Sequence, residues 1–293
     1  MIRGLVWGQS DGIQTTRRVG VLAAYAAATV LLIPFDRHPA GFAAWLAAVL
    51  AVWLPGKGRS TEGSSPLPSN EAGERPFRRR MSVLLGCVMV LAWAPIHTAT
   101  DNLHFLVLGS CFLAVVLVPT LLLKRSDPGV IAWRILPQRL RIRDLVYVVI
   151  SIPLSWLIFK VYFFHLSPEV PGHWPLPQPA SREAVTRLAI GINLVGIWDE
   201  LFFVNTAYGL LRSLYHKRLA NLGAAVIYTS VLYKMAFTGW GPLFVGALAI
   251  TQGAMYEGSR ALIWVILVHL IIDLFLLAAI LDYHYPGTGL TLF

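Results

Sequence analysis

The stretch LHFLVLGSCFLAVVLVPTLLL, residues 103–123, runs for 21 positions without an Asp, Glu, Lys or Arg. A helix rises about 1.5 Å per residue, so such a run spans the hydrocarbon core of a bilayer, and a soluble helix has no use for it. Working outward, comparable apolar runs recur at 19–35, 41–54, 81–96, 145–164, 184–211, 219–237, 242–256 and 261–281. The composition agrees. Of 293 residues 56% are hydrophobic and only 13% charged, with a mean hydropathy of +0.64, whereas a soluble domain carries about 25% charge. A soluble globular protein is excluded. The expectation is an all-α, polytopic transmembrane helix bundle of about nine spans.

The connecting segments supply the topology. Net charge is +9, which in a soluble protein would raise the question of nucleic acid, but here the basic residues gather in short loops between apolar runs, as cytoplasmic loops require. With the N-terminus inside, segments 1–18, 56–80, 124–143 and 212–218 together with Arg260 hold 19 of the 24 Lys and Arg. The C-terminus then lies outside. Arg3, Arg17 and Arg18 before the first run look like the start of a signal peptide, yet a second run follows at once, so an uncleaved span is expected. Three units follow: residues 1–80, two spans plus a disordered cytoplasmic loop at 56–80; residues 81–183, three spans with a basic inner-surface segment at 124–143 and an outer Pro-rich loop at 165–182; and residues 184–293, a core of four helices. The short run 242–256 crosses or re-enters. Cys87 and Cys111 sit within apolar runs and form neither a disulfide framework nor a metal motif.

Ionisable groups deep in a span cost several kcal/mol unless paired or hydrated, so each is a candidate functional residue. Lys160 is near a helix end and snorkels. Asp199, Glu200, Lys234, His269 and Asp273 remain, with Asn193 as a polar companion. Counted from the nearest inner basic residue, Asp199 and Asp273 lie roughly 20 Å deep, His269 roughly 14 Å and Lys234 roughly 24 Å, which places them in one layer. His269 and Asp273, four apart, share a helix face. Adjacent Asp199 and Glu200 diverge by about 100° and are expected to serve two neighbours, Glu200 pairing with Lys234. The bland alternative is a set of buried ion pairs that only orders the packing.

The stretches WDELFFVNTAYGLL (198–211) and YTSVLYKMAFTGWGPLFVGALAITQGAMYEGSRALIWVILVHLIID (228–273) resemble the core of the CPBP family, glutamic intramembrane proteases that include the CAAX prenyl-protein endopeptidases and bacteriocin-processing or self-immunity proteins. That family's pattern is EExxxR, then FxxxH, then Hxxx(N/D). The resemblance implies Asp199 in the place of the water-activating Glu, with Glu200 second. Val204 stands where the Arg would be, Tyr233 at the Phe, Phe237 at the first His, His269 at the second and Asp273 at the Asn/Asp. Two functions follow from it. One is a divergent intramembrane endopeptidase, with Asp199 as base and His269 and Asp273 positioning water and oxyanion, acting on a membrane-anchored protein or peptide. The other is a catalytically inactive membrane scaffold or accessory subunit, which the absent histidine favours. An ion-coupled transporter is less supported, since no inverted pair of broken apolar segments is present. No cofactor, metal or nucleic acid is expected. A carboxylate-heavy metal set of Asp199, His269 and Asp273 is weaker than a metal-free site. High Ala, Gly and Arg usage with few Lys hints at a GC-rich bacterial source, and the expected location is the plasma membrane.

Overall fold

The computed structural model describes residues 12–54 and 69–287, and it is helical throughout, with no strand among them. The helices are α1 (Gly12–Leu32), α2 (His38–Trp53), α3 (Ser69–Trp93), α4 (Asn102–Lys124), α5 (Ile142–Val161), α6 (Arg182–Asp199), α7 (Lys217–Met235), α8 (Gly241–Ser259) and α9 (Leu262–His284). After Asp199, α6 widens into a π-helical stretch, Glu200–Tyr208, and closes as the α-helical turn Gly209–Arg212. These rods fall on the apolar runs of the sequence. Four segments, Asn102–Lys124, Ile142–Leu166, Arg182–Arg212 and Leu262–His284, are long and apolar enough to cross a membrane.

Local signals set the helix ends. Asp101 caps α4, its carboxylate accepting from the His104 amide at 2.9 Å, and that bond holds the Asp101 carboxyl below its ordinary range. Ser181 caps α6 through the Ala184 amide. Pro39 and Pro242 sit in the first turns of α2 and α8, where a missing amide hydrogen costs nothing.

The expected loop at 56–80 needs correction. Residues 55–68 lie outside the described part, but 69–80 form the first half of α3. This half is charged but anchored. Phe77 is fully buried, with the Arg17 and Arg18 guanidinium groups stacked over its ring at 5.5 and 4.9 Å. Glu74 pairs with Arg17 and Arg18, while Arg79 and Arg80 converge on the two oxygens of buried Asp127. Composition alone reads such a stretch as solvated, whereas the pairing partners lie elsewhere in the chain.

The segment 124–143 is irregular as Pro137 requires, and it docks by backbone pairing, the Leu262 amide donating to the Arg134 carbonyl at 2.9 Å and the Ile263 amide to Ile135 at 3.0 Å. The Pro-rich stretch 165–182 is not a free loop. Its 3-10 turn Val170–His173 buries Val170, Pro171 and, just beyond, Trp174 among Phe163, Leu188, Ile192 and Ile280. Gln178 and Tyr285 bond it to the end of α9. It caps one end of α6 and α9, the pair that carries the acidic and histidine side chains.

Replacing Phe77 by Ala tests the anchoring of α3. Emptying a fully buried aromatic site costs about 3–5 kcal/mol, so the variant should melt well below the parent in detergent. An unchanged melting temperature would return residues 69–80 to a solvated loop.

Candidate functional site

Four of the expected side chains meet. Asp199 and Glu200 at the α-to-π junction of α6, and His269 and Asp273 one turn apart on α9, are all buried in the middle of the bundle. His269 is the centre. Its Nδ1 lies 2.7 Å from Glu200 Oε1, and its Nε2 lies 3.6 Å from Asp199 Oδ2 and 3.7 Å from Asp273 Oδ1. The expectation that Asp199 and Glu200 serve two neighbours is therefore corrected. An imidazole has two nitrogens on different edges, so a divergence of about 100° is what lets one carboxylate reach each edge of a single ring.

Two residues that the sequence reading missed complete the arrangement. Tyr228 on α7 places its hydroxyl 3.1 Å from Glu200 Oε1 and 2.9 Å from His269 Nδ1. Gln252 on α8 donates its amide to Glu200 Oε1 at 3.1 Å and to the Val265 carbonyl at 3.0 Å. The Nδ1 edge of the ring, the tyrosine hydroxyl and the glutamine amide thus all point at one carboxylate oxygen, and the Nε2 edge is turned towards the two aspartates. Gln252 had a legible signal, an amide inside the otherwise apolar GALAITQGAMY. Tyr228 had none, since a buried aromatic in a span reads as packing.

Lys234 is not part of this group. Its ammonium pairs with Asp36 in the α1–α2 turn, where both side chains are partly exposed. The expected Glu200–Lys234 pair is absent for a geometric reason: Lys234 is in the last turn of α7, beside the turn that Phe35 and Asp36 form, while Glu200 Oε1 faces Tyr228, Gln252 and His269. Asn193 bonds back to the Ala189 carbonyl of its own helix. Tyr233 packs edge-on against Phe35. Val204 is buried in the apolar core. Phe237, just beyond the end of α7, packs against Trp174 and Tyr162.

Nε2 and both aspartates face a cavity of about 560 Å³ between α4 and α6. Its walls are apolar, including Phe105, Leu108, Phe112, Ile190 and Leu194, and its mouth is polar, with His97, Asn102 and Arg187. Leu113 and Leu194, which also line it, are exposed on the apolar surface of the bundle, so the cavity opens laterally as well. A second cavity of about 190 Å³ between α5 and α8 reaches His269 from the other side, and Phe237 lines it. Close approach of α6 to α9 depends on Gly196: a Cβ there would stand 2.0 Å from Asp273 Oδ2 and 2.8 Å from His269 Cδ2. The arrangement offers a ring nitrogen and two carboxylates that stand 3.6–3.7 Å from it, beyond direct hydrogen-bond distance.

Residues 181–275 match the family model described as type II CAAX prenyl endopeptidase Rce1-like. The match takes in every residue that meets at His269, Tyr228 and Gln252 included, and the CAAX-endopeptidase resemblance holds for that part of the chain. No curated protein and no solved structure matches the chain.

Two variants probe this geometry. Lys234→Met should lower stability in detergent by less than about 1 kcal/mol, the range of an exposed pair, and adding Glu200→Gln should not recover it. Recovery in the double variant would restore the Glu200–Lys234 pair. Gly196→Ala should cost about 1–3 kcal/mol by overpacking, since Asp273 and His269 must both give way. A melting temperature within error of the parent would show that α6 and α9 are not in the close contact described.

Proposed function

Taking residues 181–275 as a CAAX prenyl endopeptidase-like segment, we propose that this protein is an intramembrane endopeptidase that hydrolyses a membrane-anchored protein or peptide. One observation carries the reading: His269 is held by its Nδ1 edge while its Nε2 edge, with Asp199 and Asp273, faces a laterally open apolar cavity. A purely structural ion-pair cluster has no need of a cavity at its charged centre. In this reading Asp199 is the base that takes a proton from water, and His269 and Asp273 position that water and the developing oxyanion. The apolar walls fit a lipidated chain, and lateral access fits a substrate that arrives in the membrane.

The nine helices are then nine spans, with the N-terminus in the cytoplasm and the C-terminus outside, in a bacterial plasma membrane. The positive-inside count supports this orientation. Residues 1–80 and 81–183 support a catalytic core at 184–293. A second reading, a non-catalytic scaffold that binds a membrane partner, is favoured by one observation, the apolar Phe237 and Val204 at two motif positions.

Purified protein incubated with a fluorogenic peptide carrying a farnesylated cysteine decides between them. Cleavage by the parent chain, abolished by Asp199→Asn and by His269→Ala with melting unchanged, is expected of the endopeptidase; neither loss should add to the other, because the two groups act as one unit. Phe237 lines the cavity on the far side of His269 from Asp199 and Asp273, so Phe237→His should leave the rate within tenfold of the parent. A parent chain that leaves the peptide intact favours the scaffold.

A further inference from the structure

The charges around His269 do not balance. Glu200 and Asp199 from α6 and Asp273 from α9 bring three carboxylates to one imidazole, Tyr228 from α7 and Gln252 from α8 bring only neutral donors, and the cavity wall from α4 adds Leu108 and Phe112. Lys234 is engaged with Asp36, and Arg187 at the cavity mouth is held by Glu183 and Asn102. Each carboxylate keeps one oxygen without a hydrogen-bond partner, Glu200 Oε2, Asp199 Oδ1 and Asp273 Oδ2. Glu200 differs in that its Oε1 takes three contacts, from His269, Tyr228 and Gln252, whereas Asp199 and Asp273 both approach the same Nε2 without bonding it, their side chains 1% and 4% exposed. Two carboxylates sharing one low-dielectric site do not both ionise, and the usual outcome is a single proton held between them.

We propose that Asp199 and Asp273 are a proton-sharing pair, so that hydrolysis at this site runs by two-aspartate chemistry, with Asp273 as the acid. The inference rests on the endopeptidase reading and specifies its proton path. Asp199 carboxylate takes a proton from water as the water oxygen bonds to the scissile carbonyl carbon. Asp273 gives its proton to the carbonyl oxygen. In the resulting gem-diol, Asp199 passes its proton to the amide nitrogen as the C–N bond breaks, and Asp273 recovers a proton from a diol hydroxyl, leaving acid, amine and the starting pair. His269 holds both carboxylates at Nε2 and exchanges no proton with the products. The room for Asp273 comes from Gly196.

Infrared spectroscopy of the full chain in detergent tests the pair without any need for turnover. The parent should show the carbonyl stretch of a buried protonated carboxylic acid, shifted in deuterium oxide; Asp273→Asn and Asp199→Asn should each remove it, and Asp36→Asn, outside the site, should leave it. No such band in the parent, or a band that survives both substitutions, overturns the proposal. If one variant fails to fold, the other still decides. On the farnesylated peptide, Asp273→Asn should lower kcat at least a hundredfold with KM little changed. An Asn variant within tenfold of the parent would show a side chain that merely orients water, and would overturn the acid role. A band that behaves as expected in a protein that cleaves nothing would refute the endopeptidase reading and leave the shared proton standing.

Discussion

Everything near the middle of this bundle follows from the cost of placing an imidazole and three carboxylates where water is scarce. A lone ionised side chain there is too expensive, so the groups gather, and gathering requires α6 and α9 to approach more closely than side chains permit. Gly196 makes that approach possible because its missing Cβ is the space that Asp273 fills. The widening of α6 after Asp199 is part of the same arrangement: Glu200 opens the π-helical stretch, and such stretches recur where a helix must re-aim a functional side chain.

Satisfying Glu200 then commits two more helices. Tyr228 comes from α7 and Gln252 from α8, and Gln252 also bonds the Val265 carbonyl of α9. Four helices are thereby tied to one carboxylate oxygen. The remaining structure is arranged around that knot: α4 forms the far wall of the cavity, with Trp198 stacked on Phe112 and bonded to its carbonyl, and the stretch 165–182 closes the end of α6 and α9 with Trp174. The α1–α2 hairpin is fastened from outside, by Asp36 to Lys234 and by Phe35 to Tyr233.

How much of this was legible in the sequence divides along physical lines. Apolar runs of bilayer length announce helices because hydropathy is a one-dimensional property, and the i, i+4 spacing of His269 and Asp273 announces a shared face for the same reason. Depth counting brought Asp199, Glu200, His269 and Asp273 together correctly. It failed for Lys234, since two residues at one depth can face different neighbours and depth carries no azimuth. Composition misread residues 69–80 because charge reads as solvation until its partners, Asp127 and the Arg17–Arg18 pair across Phe77, are known. Tyr228 was invisible, as a hydroxyl on a buried ring cannot be distinguished from the ring's packing.

The departures at Val204 and Phe237 have unequal weight. An arginine beside Glu200 would bring a second buried charge, whose desolvation can exceed what the pair returns, whereas a tyrosine hydroxyl and a glutamine amide satisfy the same oxygen without adding charge. With Val204 at that position, Glu200 Oε1 takes neutral donors from Tyr228 and Gln252 and keeps its contact with His269. Phe237 is different. It lines the smaller cavity, on the α5–α8 side of His269, and supplies no donor there, while the Nε2 edge with Asp199 and Asp273 lies on the larger one. Any polar chemistry is consequently confined to a single side of the imidazole, where the available groups are two aspartates and a ring nitrogen.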